Sequence, residues 1–539
     1  MKASTKIFLI FLFLSSFFCG YKPVERLLSP ILNMPVLVTP GGEFKILFKP
    51  DSIPRDFEAR ISSSIGISRF LSIVSVEYTS SGIWQIRAVV PPDTPYDIYR
   101  LCVQTDVEKD SSLNAVRVIP SFMSDFYFVH ITDTHLPSQL DPEHLPNYLD
   151  RNTLEEFNEI ISELRYINPE FVLHTGDLID NYTDESQYQI AQDALARSSV
   201  PIFVTAGNHD LNDWFLPGQT PGRTKWVRYY GNIMNYFFKY GSVFFIGLEA
   251  YNTPSISFTE DQMTFLRNGL SQSYNNGDIL RIVFYHADIR RTDLGIPQIT
   301  DAFVDAYNID MTLWGHTHAD SVYRLGSRGV PDINTSATTN NNGRFRLIRI
   351  SGSQIVSYNP LSWAHLLVSF SPSNDARSNR ITATINNSHN ERFEHGLVRF
   401  FLRRTSANVQ ITGGTLFQLI RLDTMCVVDV LVDILPVSTT TVTVSEEDLG
   451  LEESKTPERQ AFEFSPILYY GNLVLKYSVR NGYSCSLEIY NVMGEKVFVS
   501  ALSGGGIIDF SSLGLPQGFY FARVSHMGVE RFYKTVFIK

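Results

Sequence analysis

Two kinds of hydrophobic pattern succeed each other along the chain. From about residue 21 to 121, short segments of alternating hydrophobic and polar residues are separated by turn residues such as Pro40-Gly41-Gly42. This pattern is typical of an all-β, immunoglobulin-like domain. From about 122 to 360, strand-like runs alternate with amphipathic helices. That alternation predicts a layered α/β domain.

Individual elements of the α/β part are predicted from periodicity and capping. A helix is expected over 152–167, because its apolar residues fall on one face and Asn152 with Glu155 resembles a capping box. A second helix is expected over 186–197. A third begins at Thr259, with Gln262 completing a capping box, and ends near Gly269. The run 235–249 is expected to form a β-hairpin.

The remainder of the chain is β-rich. Residues 361–436 are expected to form a β-rich domain, and residues 437–461 are polar, acidic and rich in Thr and Ser, which predicts a linker. Residues 462–539 form a last β-sandwich module. No solenoid-type repeat is present in the sequence.

The first twenty residues have the pattern of a secretory signal peptide. Lys2 and Lys6 precede an apolar run over 7–18, and Cys19 and Gly20 follow it. The run is too short to span a hydrocarbon core of ~30 Å, so no transmembrane segment is expected in the mature chain. Cys19 leaves open a second interpretation, an outer-membrane lipoprotein acylated at this residue.

Composition excludes several classes of protein. Hydrophobic residues make up 44% and charged residues 19% of the chain, which excludes disordered, collagen-like and coiled-coil proteins. The net charge is −11, and removal of residues 1–20 takes away two lysines and no acid, which leaves −13. A nucleic-acid binder carries a basic surface, so no nucleic-acid partner is expected. Four Cys are too few for a disulfide framework in a chain of this length.

Polar clusters follow five of the predicted strands. They are Asp133-Thr134-His135, Gly176-Asp177, Gly207-Asn208-His209-Asp210, His286, and Gly315-His316-Thr317-His318. Ligands of α/β sheets bind at the carboxyl ends of strands, so the five loops are expected to converge. Oxygen and imidazole donors without thiolates suit Mn, Fe or Zn. Seven donors are too many for one ion with an open position and fit two ions. Isolated His130, His144 and His174 are expected to be packing residues instead.

The five blocks resemble the signature of the calcineurin-like metallophosphoesterase superfamily over about 122–350. The resemblance implies a central α/β domain built as a β-sandwich flanked by helices. The resemblance implies that one divalent ion is held by Asp133, His135, Asp177 and His318. It implies a second ion held by Asp177, Asn208, His286 and His316, with Asp177 bridging. His209 would lie beside the phosphate as a catalytic, non-ligand residue. Asp210 would either orient His209 or serve only as a helix-start acid.

The expected function is that of a secreted phosphoesterase, a hydrolase acting on small-molecule phosphate esters. Two dications clamp an in-line displacement, and the resemblance implies attack by a metal-bound hydroxide on a phosphomonoester or phosphodiester. The purple acid phosphatase branch is disfavoured, because His135 and Asp180 stand where that branch has Gly and Tyr. Asp180 is expected either to orient a ligand or to cap a turn.

The last module is similar to the C-terminal sorting domains of type IX secretion. The similarity lies in Ile489-Tyr490-Asn491, in Leu515-Pro516 before Gly518 and Tyr520, and in the terminal Lys539. It implies a partnership with secretion machinery and a secreted or cell-surface protein that passes through the periplasm.

Two other functions compete with that of a secreted phosphoesterase. A non-catalytic surface adhesin with a vestigial phosphoesterase core would have lost ligands, and none is missing here. A nuclease of the same superfamily conflicts with the charge of −13. Five loop residues are candidates for substrate contact, although solvated-loop roles are the simpler interpretation: His144, Trp214, Arg223, Lys225 and Arg228.

Overall fold

The computed structural model describes most of the chain and divides it into two compact units. The units are Met1–Glu447 and Asp448–Lys539. The described residues are 23–79, 81–136, 153–211, 221–249, 258–288, 298–339, 343–363, 365–405, 407–446, 462–469, 472–479, 484–491, 496–509, 518–526 and 529–537. The predicted signal peptide, Asn152 with its capping box, His144 and Trp214 lie outside these residues.

The first part of the first unit consists of two β-sheets. The sheet orders are β1-β3-β7-β6 and β2-β9-β8-β4-β5. Alternate residues of these strands are buried between the sheets, among them Ile46, Ile86 and Val103, which is the period-2 pattern of half-buried strands. The sheets agree with the predicted all-β character, and the immunoglobulin-like assignment stays a prediction. The strands are β1 Leu27–Ser29, β2 Val36–Val38, β3 Glu43–Phe48, β4 Phe57–Ser63, β5 Ser68–Phe70, β6 Ser72–Tyr78, β7 Trp84–Val89, β8 Asp97–Thr105 and β9 Lys109–Val118.

The α/β part contains two further sheets. The elements are β10 Asp125–Ile131, α1 Thr153–Ile167, β11 Val172–His174, α2 Glu185–Ala196, β12 Ile202–Val204, α3 Asn208–Leu211, α4 Pro221–Tyr230, β13 Tyr236–Tyr240, β14 Val243–Leu248, α5 Glu260–Asn275, β15 Leu280–Tyr285, α6 Asp301–Ala306, β16 Met311–Trp314, β17 Ser321–Leu325, β18 Val330–Asn334, β19 Arg344–Ser351 and β20 Gln354–Ser362. The sheet orders are β12-β11-β10-β19-β20 and β13-β14-β15-β16-β18-β17. Strands β10, β11 and β12 run parallel, as do β14, β15, β16 and β18.

Most of the predicted local elements are confirmed. Helix α1 buries Phe157, Ile160 and Leu164, and β13 pairs with β14 as the predicted hairpin. The capping box of Thr259 and Gln262 is present at the start of α5. The predicted end of α5 near Gly269 is wrong, because the helix continues to Asn275. Gly269 serves close packing instead, since a Cβ there would lie 2.9 Å from Cδ1 of Ile246 in β14.

A third part of the first unit follows β20 and is β-rich, as predicted. Its strands are β21 Leu366–Ser371, β22 Arg380–Asn387, β23 Phe393–Arg403, β24 Val409–Thr412, β25 Thr415–Arg421, β26 Met425–Ile434 and β27 Ser438–Glu446. They form the sheets β21-β22-β27-β24 and β23-β26-β25. Residues of these sheets share one hydrophobic core with α1, including Ile381, Phe400 and Val444. His389 also hydrogen-bonds Glu163 of α1.

The predicted linker over 437–461 is wrong for residues 438–446, which form strand β27. Strand β27 pairs along its whole length with β22 and also with β24. Its burial alternates, with Val442 and Val444 in the core. The β-branched Thr-Thr-Thr-Val-Thr-Val run has the period and propensity of a strand, and the polarity of its threonines obscured this pattern. Residues 447–461 lie outside the described residues.

The second unit contains two antiparallel sheets. Their orders are β28-β29-β32 and β31-β30-β33-β34. In the second of these sheets, Glu488 accepts hydrogen bonds from Tyr490 and Arg523. Its strands are β28 Phe462–Tyr469, β29 Asn472–Val479, β30 Cys485–Asn491, β31 Lys496–Leu502, β32 Gly505–Asp509, β33 Gly518–His526 and β34 Val529–Phe537. Among the described residues of the whole chain, no helix combines the length and the apolar character needed to cross a membrane.

Candidate metal centre

The five polar clusters all lie directly after parallel strands, as predicted. Asp133 follows β10, Asp177 follows β11, Asn208 follows β12, His286 follows β15 and His316 follows β16. Backbone hydrogen bonds tie these loops together. The amide of Asp133 donates to the carbonyl of Gly176 (3.0 Å), that of His135 to Asp177 (3.0 Å), and that of Gly315 to His286 (2.9 Å).

The backbone at this place is held in conformations that non-glycine residues rarely adopt. Five of the seven predicted metal ligands have positive φ angles: Asp133 (51°), His135 (43°), Asp177 (51°), His316 (70°) and His318 (56°). Such residues are uncommon elsewhere in proteins and cluster at active sites and ligand-binding sites. The surrounding hydrogen bonds therefore hold these side chains in fixed positions rather than leaving them on relaxed loops.

The glycines of the clusters lie so close to atoms of neighbouring loops that no side chain would fit there. A Cβ on Gly207 would lie 2.2 Å from Oδ1 of Asp177, and a Cβ on Gly315 would lie 2.3 Å from Oδ2 of Asp133. Gly176 has φ +99° and leaves no room for a Cβ beside Gly207. Gly207 and Gly315 thus let their loops approach the carboxylate that a neighbouring loop supplies, and Gly176 lets its loop approach the backbone of Gly207.

Asp133, His135 and His318 form one group of donors at the centre. The Nε2 atoms of the two histidines lie 3.0 Å apart. Oδ2 of Asp133 accepts hydrogen bonds from the Thr132 hydroxyl (2.7 Å) and the His316 amide (2.9 Å). Oδ1 is buried, has no hydrogen-bond partner among the described residues, and lies 3.4 Å from Nε2 of His318. One carboxylate oxygen is therefore fixed and the other faces two imidazoles.

Asp177, Asn208, His286 and His316 form the second group. Nδ1 of His286 lies 2.8 Å from the carbonyl of Thr175, so Nδ1 carries a proton and Nε2 is the nitrogen that remains for a metal ion. This Nε2 lies 3.0 Å from Oδ1 of Asn208 and 3.3 Å from Nδ1 of His316. Asp177, His286 and His316 have ligand atoms within 4.8 Å of one another, as do Asp133, His135 and His318.

Asp177 lies between the two groups. Its Oδ1 accepts a hydrogen bond from the amide of His209 (2.9 Å). Its Oδ2 lies 3.1 Å from Nε2 of His286 and 3.9 Å from Nε2 of His135. Burial raises the pKa of Asp177, but the charges of His286 and His209 outweigh it and hold this pKa below its ordinary value. An ionised carboxylate between two sets of imidazoles is the arrangement that a bridging ligand requires.

The donors fit two divalent transition-metal ions. The buried Oδ1 of Asp133 has no hydrogen-bond partner among the described residues, and a cation would satisfy it. The Nε2 atoms of His135, His286 and His318 converge on carboxylate oxygens of Asp133 and Asp177, which is a donor set that divalent transition metals accept. The structure brings together all seven residues predicted as ligands. Their role in metal binding stays a prediction that elemental analysis tests.

His209 lies beside the centre, but its predicted orienting partner is wrong. Nδ1 of His209 lies 2.5 Å from the carbonyl oxygen of Asp180 and donates to it. The Asp180 carboxylate is 3.7 Å from the same nitrogen and 3.7 Å from Nδ1 of His135. His209 keeps 28% of its side chain exposed, whereas the ligand carboxylates are buried. Of the two predicted roles of Asp180, the position beside both histidines favours orientation.

Asp210 holds the loops in place instead. Its carboxylate accepts hydrogen bonds from the backbone amides of Gly207 (2.8 Å), Ile179 (3.0 Å) and Leu178 (3.3 Å). Burial, together with the charge of Asp177, raises the pKa of Asp210 to about 7, although these amides lower it. The carboxylate thereby connects the loop after β11 to the loop after β12. Of the two roles predicted for Asp210, the structure agrees with the helix-start acid, since Asp210 lies in the first turn of α3 and accepts from the amide of Gly207 before it.

Two buried histidines near the centre are packing residues, as predicted. His130 is hydrogen-bonded to the hydroxyls of Thr175 and Thr335, and His174 to the hydroxyl of Thr134 and the amide of Gly176. Burial lowers the pKa of each to about 3. Both rings are therefore neutral, and both nitrogens of each ring are hydrogen-bonded to the protein.

Sequence reasoning missed two threonines and one glutamate. Thr132 donates to Asp133, and Thr338 exchanges hydrogen bonds with the backbone of Thr132. The sequence gives only a weak indication of the role of Thr132, namely its position next to Asp133. It gives no indication of the role of Thr338. Glu249, at the end of β14, pairs with Arg223 (2.9 Å). The other described substrate candidates also have protein partners: Lys225 donates to two carbonyls and Arg228 pairs with Glu185.

Residues 126–320 match the family model of the calcineurin-like phosphoesterases. This part of the chain is therefore similar to the calcineurin-like phosphoesterase domains. The match spans β10 to Asp320 and contains all seven predicted ligands as well as His209 and Asp210. It does not extend to the β-sheets on either side of the domain.

Two relatives overlap parts of the chain. The DNA double-strand break repair protein Mre11 of Methanococcus maripaludis is 27% identical over 206 residues, which are 35% of this chain and 51% of that protein. The uncharacterized protein YvnB of Bacillus subtilis is 28% identical over 128 residues, 23% of this chain and 9% of that protein. The chain thus spans about half of one relative and a small part of the other.

Among solved structures, the purple acid phosphatase PPD1 of yellow lupin (Lupinus luteus) is similar at a TM-score of 0.41. The sequences are 13% identical, and the alignment covers 68% of this chain and 73% of the other. A superposition this loose supports no statement about function.

Proposed function

We propose that the chain is a phosphoesterase that uses two divalent transition-metal ions to hydrolyse phosphate esters. The observation that carries the proposal is the position of Asp177, whose Oδ2 faces His286 of one donor group and His135 of the other. The phosphoesterase domain supports the reaction class. The complete set of seven donors argues against a vestigial core that only binds a partner.

Two bound dications would neutralise the phosphoryl oxygens and generate a nucleophile from water at neutral pH. Asp133, His135, Asp177 and His318 would hold one ion, and Asp177, Asn208, His286 and His316 the other. The chain's own contribution is rigidity. Thr132, the His316 amide and the Thr175 carbonyl fix the ligand side chains, as partners of metal ligands do in other sites.

His209 is proposed to act on the substrate rather than on an ion. Its Nδ1 is occupied by the carbonyl of Asp180, so Nε2 is the atom that remains for the substrate. The amide of His209 is bound to Asp177, which places the side chain at the edge of the centre. From there Nε2 would hydrogen-bond a phosphoryl oxygen or protonate the leaving oxygen.

The experiment combines metal analysis with hydrolysis assays. The purified mature chain, reconstituted separately with Mn²⁺, Fe²⁺ and Zn²⁺, should contain about two ions per chain. It should release product from a panel of phosphomonoesters, phosphodiesters and nucleotides. Fewer than one ion per chain after reconstitution with every metal would refute the dinuclear centre. Full metal content without hydrolysis of any ester would refute the proposed phosphoesterase activity.

We further propose that the protein is exported through the periplasm to the cell surface or medium. The pattern of residues 1–20 and the similarity of residues 462–539 to type IX sorting modules support this proposal. In the native host, a chain that lacks 462–539 should accumulate in the periplasm. Normal export of that chain would refute the sorting role, and an acylated Cys19 in the mature protein would instead indicate a lipoprotein.

A further inference from the structure

A cavity of about 350 Å³ lies at the end of β14. Its volume falls in the range of small-molecule sites, about 300–1,000 Å³. Its walls combine the apolar side chains of Met234 and Phe265 with polar residues, among them Asn235, Glu249 and Asp261. None of the described lining residues is a lysine, an arginine or a histidine.

One residue of the cavity wall, Glu249, is adjacent in the sheet to His286 of the metal centre. Leu248 pairs with Tyr285 in the parallel strands β14 and β15, so Glu249 and His286 leave neighbouring strands side by side, at a strand spacing of about 4.8 Å. A Cβ on Gly247 would lie 3.0 Å from Cγ2 of Thr205. The end of β14 therefore also packs against the segment that leads to Asn208 and His209.

Glu249 is the unusual residue of this cavity. Its side chain is nine-tenths buried. Oε1 accepts a hydrogen bond from Arg223 (2.9 Å), whereas Oε2 has no partner among the residues that the structure describes. A buried carboxylate oxygen without a donor is costly, because its lost hydration is not replaced. A ligand that supplies a hydrogen-bond donor would remove this cost.

The charge of the cavity indicates which kind of hydrogen-bond donor a ligand would bring. Asp261 alone is an ordinary acid in the first turn of α5, where the helix favours negative charge. The Glu249 carboxylate and the Arg223 guanidinium neutralise each other, so the carboxylate of Asp261 leaves the cavity with one net negative charge. A positively charged donor fits this wall, and an anionic group does not.

We propose that this cavity is the subsite for one alcohol arm of the substrate, and that this arm carries a primary ammonium group. The inference rests on the proposed phosphoesterase function and defines its substrate class as aminoalkyl phosphate esters. The ammonium donates to Glu249, and the carbon chain of the arm lies against Met234 and Phe265. Hydrolysis itself remains the displacement at phosphorus, with water adding to phosphorus and an alcohol leaving.

The first test compares p-nitrophenyl phosphodiesters whose second arm is propyl, 3-hydroxypropyl or 3-aminopropyl, using metal-loaded mature protein. The aminopropyl ester should have a kcat/KM about tenfold above that of the propyl ester, which corresponds to one hydrogen bond to a charged group. Equal values for the two esters would overturn the proposal. A hydroxypropyl ester as good as the aminopropyl ester would overturn the requirement for a charge.

Variants locate the effect. Glu249→Gln should bring the aminopropyl-to-propyl ratio close to one, and Asp261→Asn, on the exposed helix start, should lower it less. Glu260→Gln is the matched control, because Glu260 lies on the same turn, is exposed and pairs with Arg267 outside the cavity. An unchanged ratio in both Glu249→Gln and Asp261→Asn would overturn the proposal, as would an equal fall in Glu260→Gln.

A binding measurement separates the subsite from the reaction. In calorimetry on the metal-loaded protein, 3-aminopropyl phosphate should bind about tenfold more tightly than propyl phosphate. If no ester is hydrolysed but this difference is present and disappears in Glu249→Gln, the proposed function fails and the subsite stands. Equal binding of the two phosphates overturns the subsite even if esters are hydrolysed.

Discussion

The Nε2 atoms of His135 and His318 lie 3.0 Å apart although the two residues are separated by 183 positions in the chain. Both nitrogens face the buried Oδ1 of Asp133. Two imidazole nitrogens at this distance share at most one proton between them, whereas both present lone pairs to a single cation. The pair therefore marks one of the two positions at which the centre is expected to hold an ion.

His318→Ala should remove one ion and leave the other. The second donor group, with Asp177, Asn208, His286 and His316, does not include His318, so metal content should fall from about two ions to about one per chain. Elemental analysis after reconstitution and desalting measures this. His365→Ala, an exposed histidine outside the centre, is the control and should retain both ions. Loss of both ions in His318→Ala would contradict two separable positions.

Asp177→Asn and His209→Ala should have different effects on metal content and on hydrolysis. Asp177 faces both donor groups, so its neutralisation should abolish hydrolysis and reduce metal content at both positions. The backbone amide of His209 donates to Asp177, and its ring lies within 4.8 Å of ligand atoms of His135 and Asp177. Since the proposed role of His209 is on the substrate, His209→Ala should keep the metal content and lower kcat, by about 10²–10⁴-fold for a lost proton-transfer group. Parallel metal analysis and kinetics decide. Loss of both ions in His209→Ala would indicate that His209 is a metal ligand.

Asp210 should act on stability more than on the proton chemistry of His209. Asp210→Ala leaves three buried amides without an acceptor, which should lower the free energy of unfolding by about 3 kcal/mol or more. Asp210→Asn retains one oxygen, enough for the amides of Gly207 and Leu178, and should lose less. Denaturant unfolding of the three proteins measures the difference. A normally stable Asp210→Ala with a changed pH profile would restore the role of orienting His209.

The sequence predicted the members of the centre but not all of their partners. The seven donors follow from a general rule, that parallel strands place their following residues at one edge of a sheet. The partner of His209 does not follow from spacing, because Asp180 acts through its backbone carbonyl and its side-chain identity carries no signal for that contact. Asp210 stands next to His209 in sequence, yet on the short helix α3 its carboxylate is directed to the loop after β11.

Local sequence pattern also gave wrong predictions at two places where the secondary structure depends on tertiary packing. Gly269 has the propensity of a helix end, but close packing on Ile246 keeps it inside α5. The segment that became β27 was polar enough to predict a linker, whereas pairing with β22 on one side and β24 on the other incorporates it into a sheet. In both cases the deciding partner lies in another element, so local propensity alone could not identify it.

The position of β27 determines where the chain can be shortened. A chain that ends at 447 retains β27 between β22 and β24 and keeps the whole first compact unit. It should fold, bind about two ions and have the hydrolytic activity of the full-length protein, because the donors all lie before Ala319. Metal analysis, kinetics and thermal unfolding of the purified proteins test this.

A chain that ends at 436 should behave differently, although it differs by only eleven residues. It loses β27, which exposes the pairing edges of β22 and β24 and removes Val442 and Val444 from the core that α1 shares. Burying each valine is worth about 1.5–3 kcal/mol, so this chain should unfold at a lower temperature and aggregate through the opened strand edges. If the chains ending at 436 and at 447 were equally stable and monomeric, β27 would be dispensable and the original linker boundary would be correct. The expected result is the opposite, because a central strand cannot be removed from a four-stranded sheet without separating its neighbours.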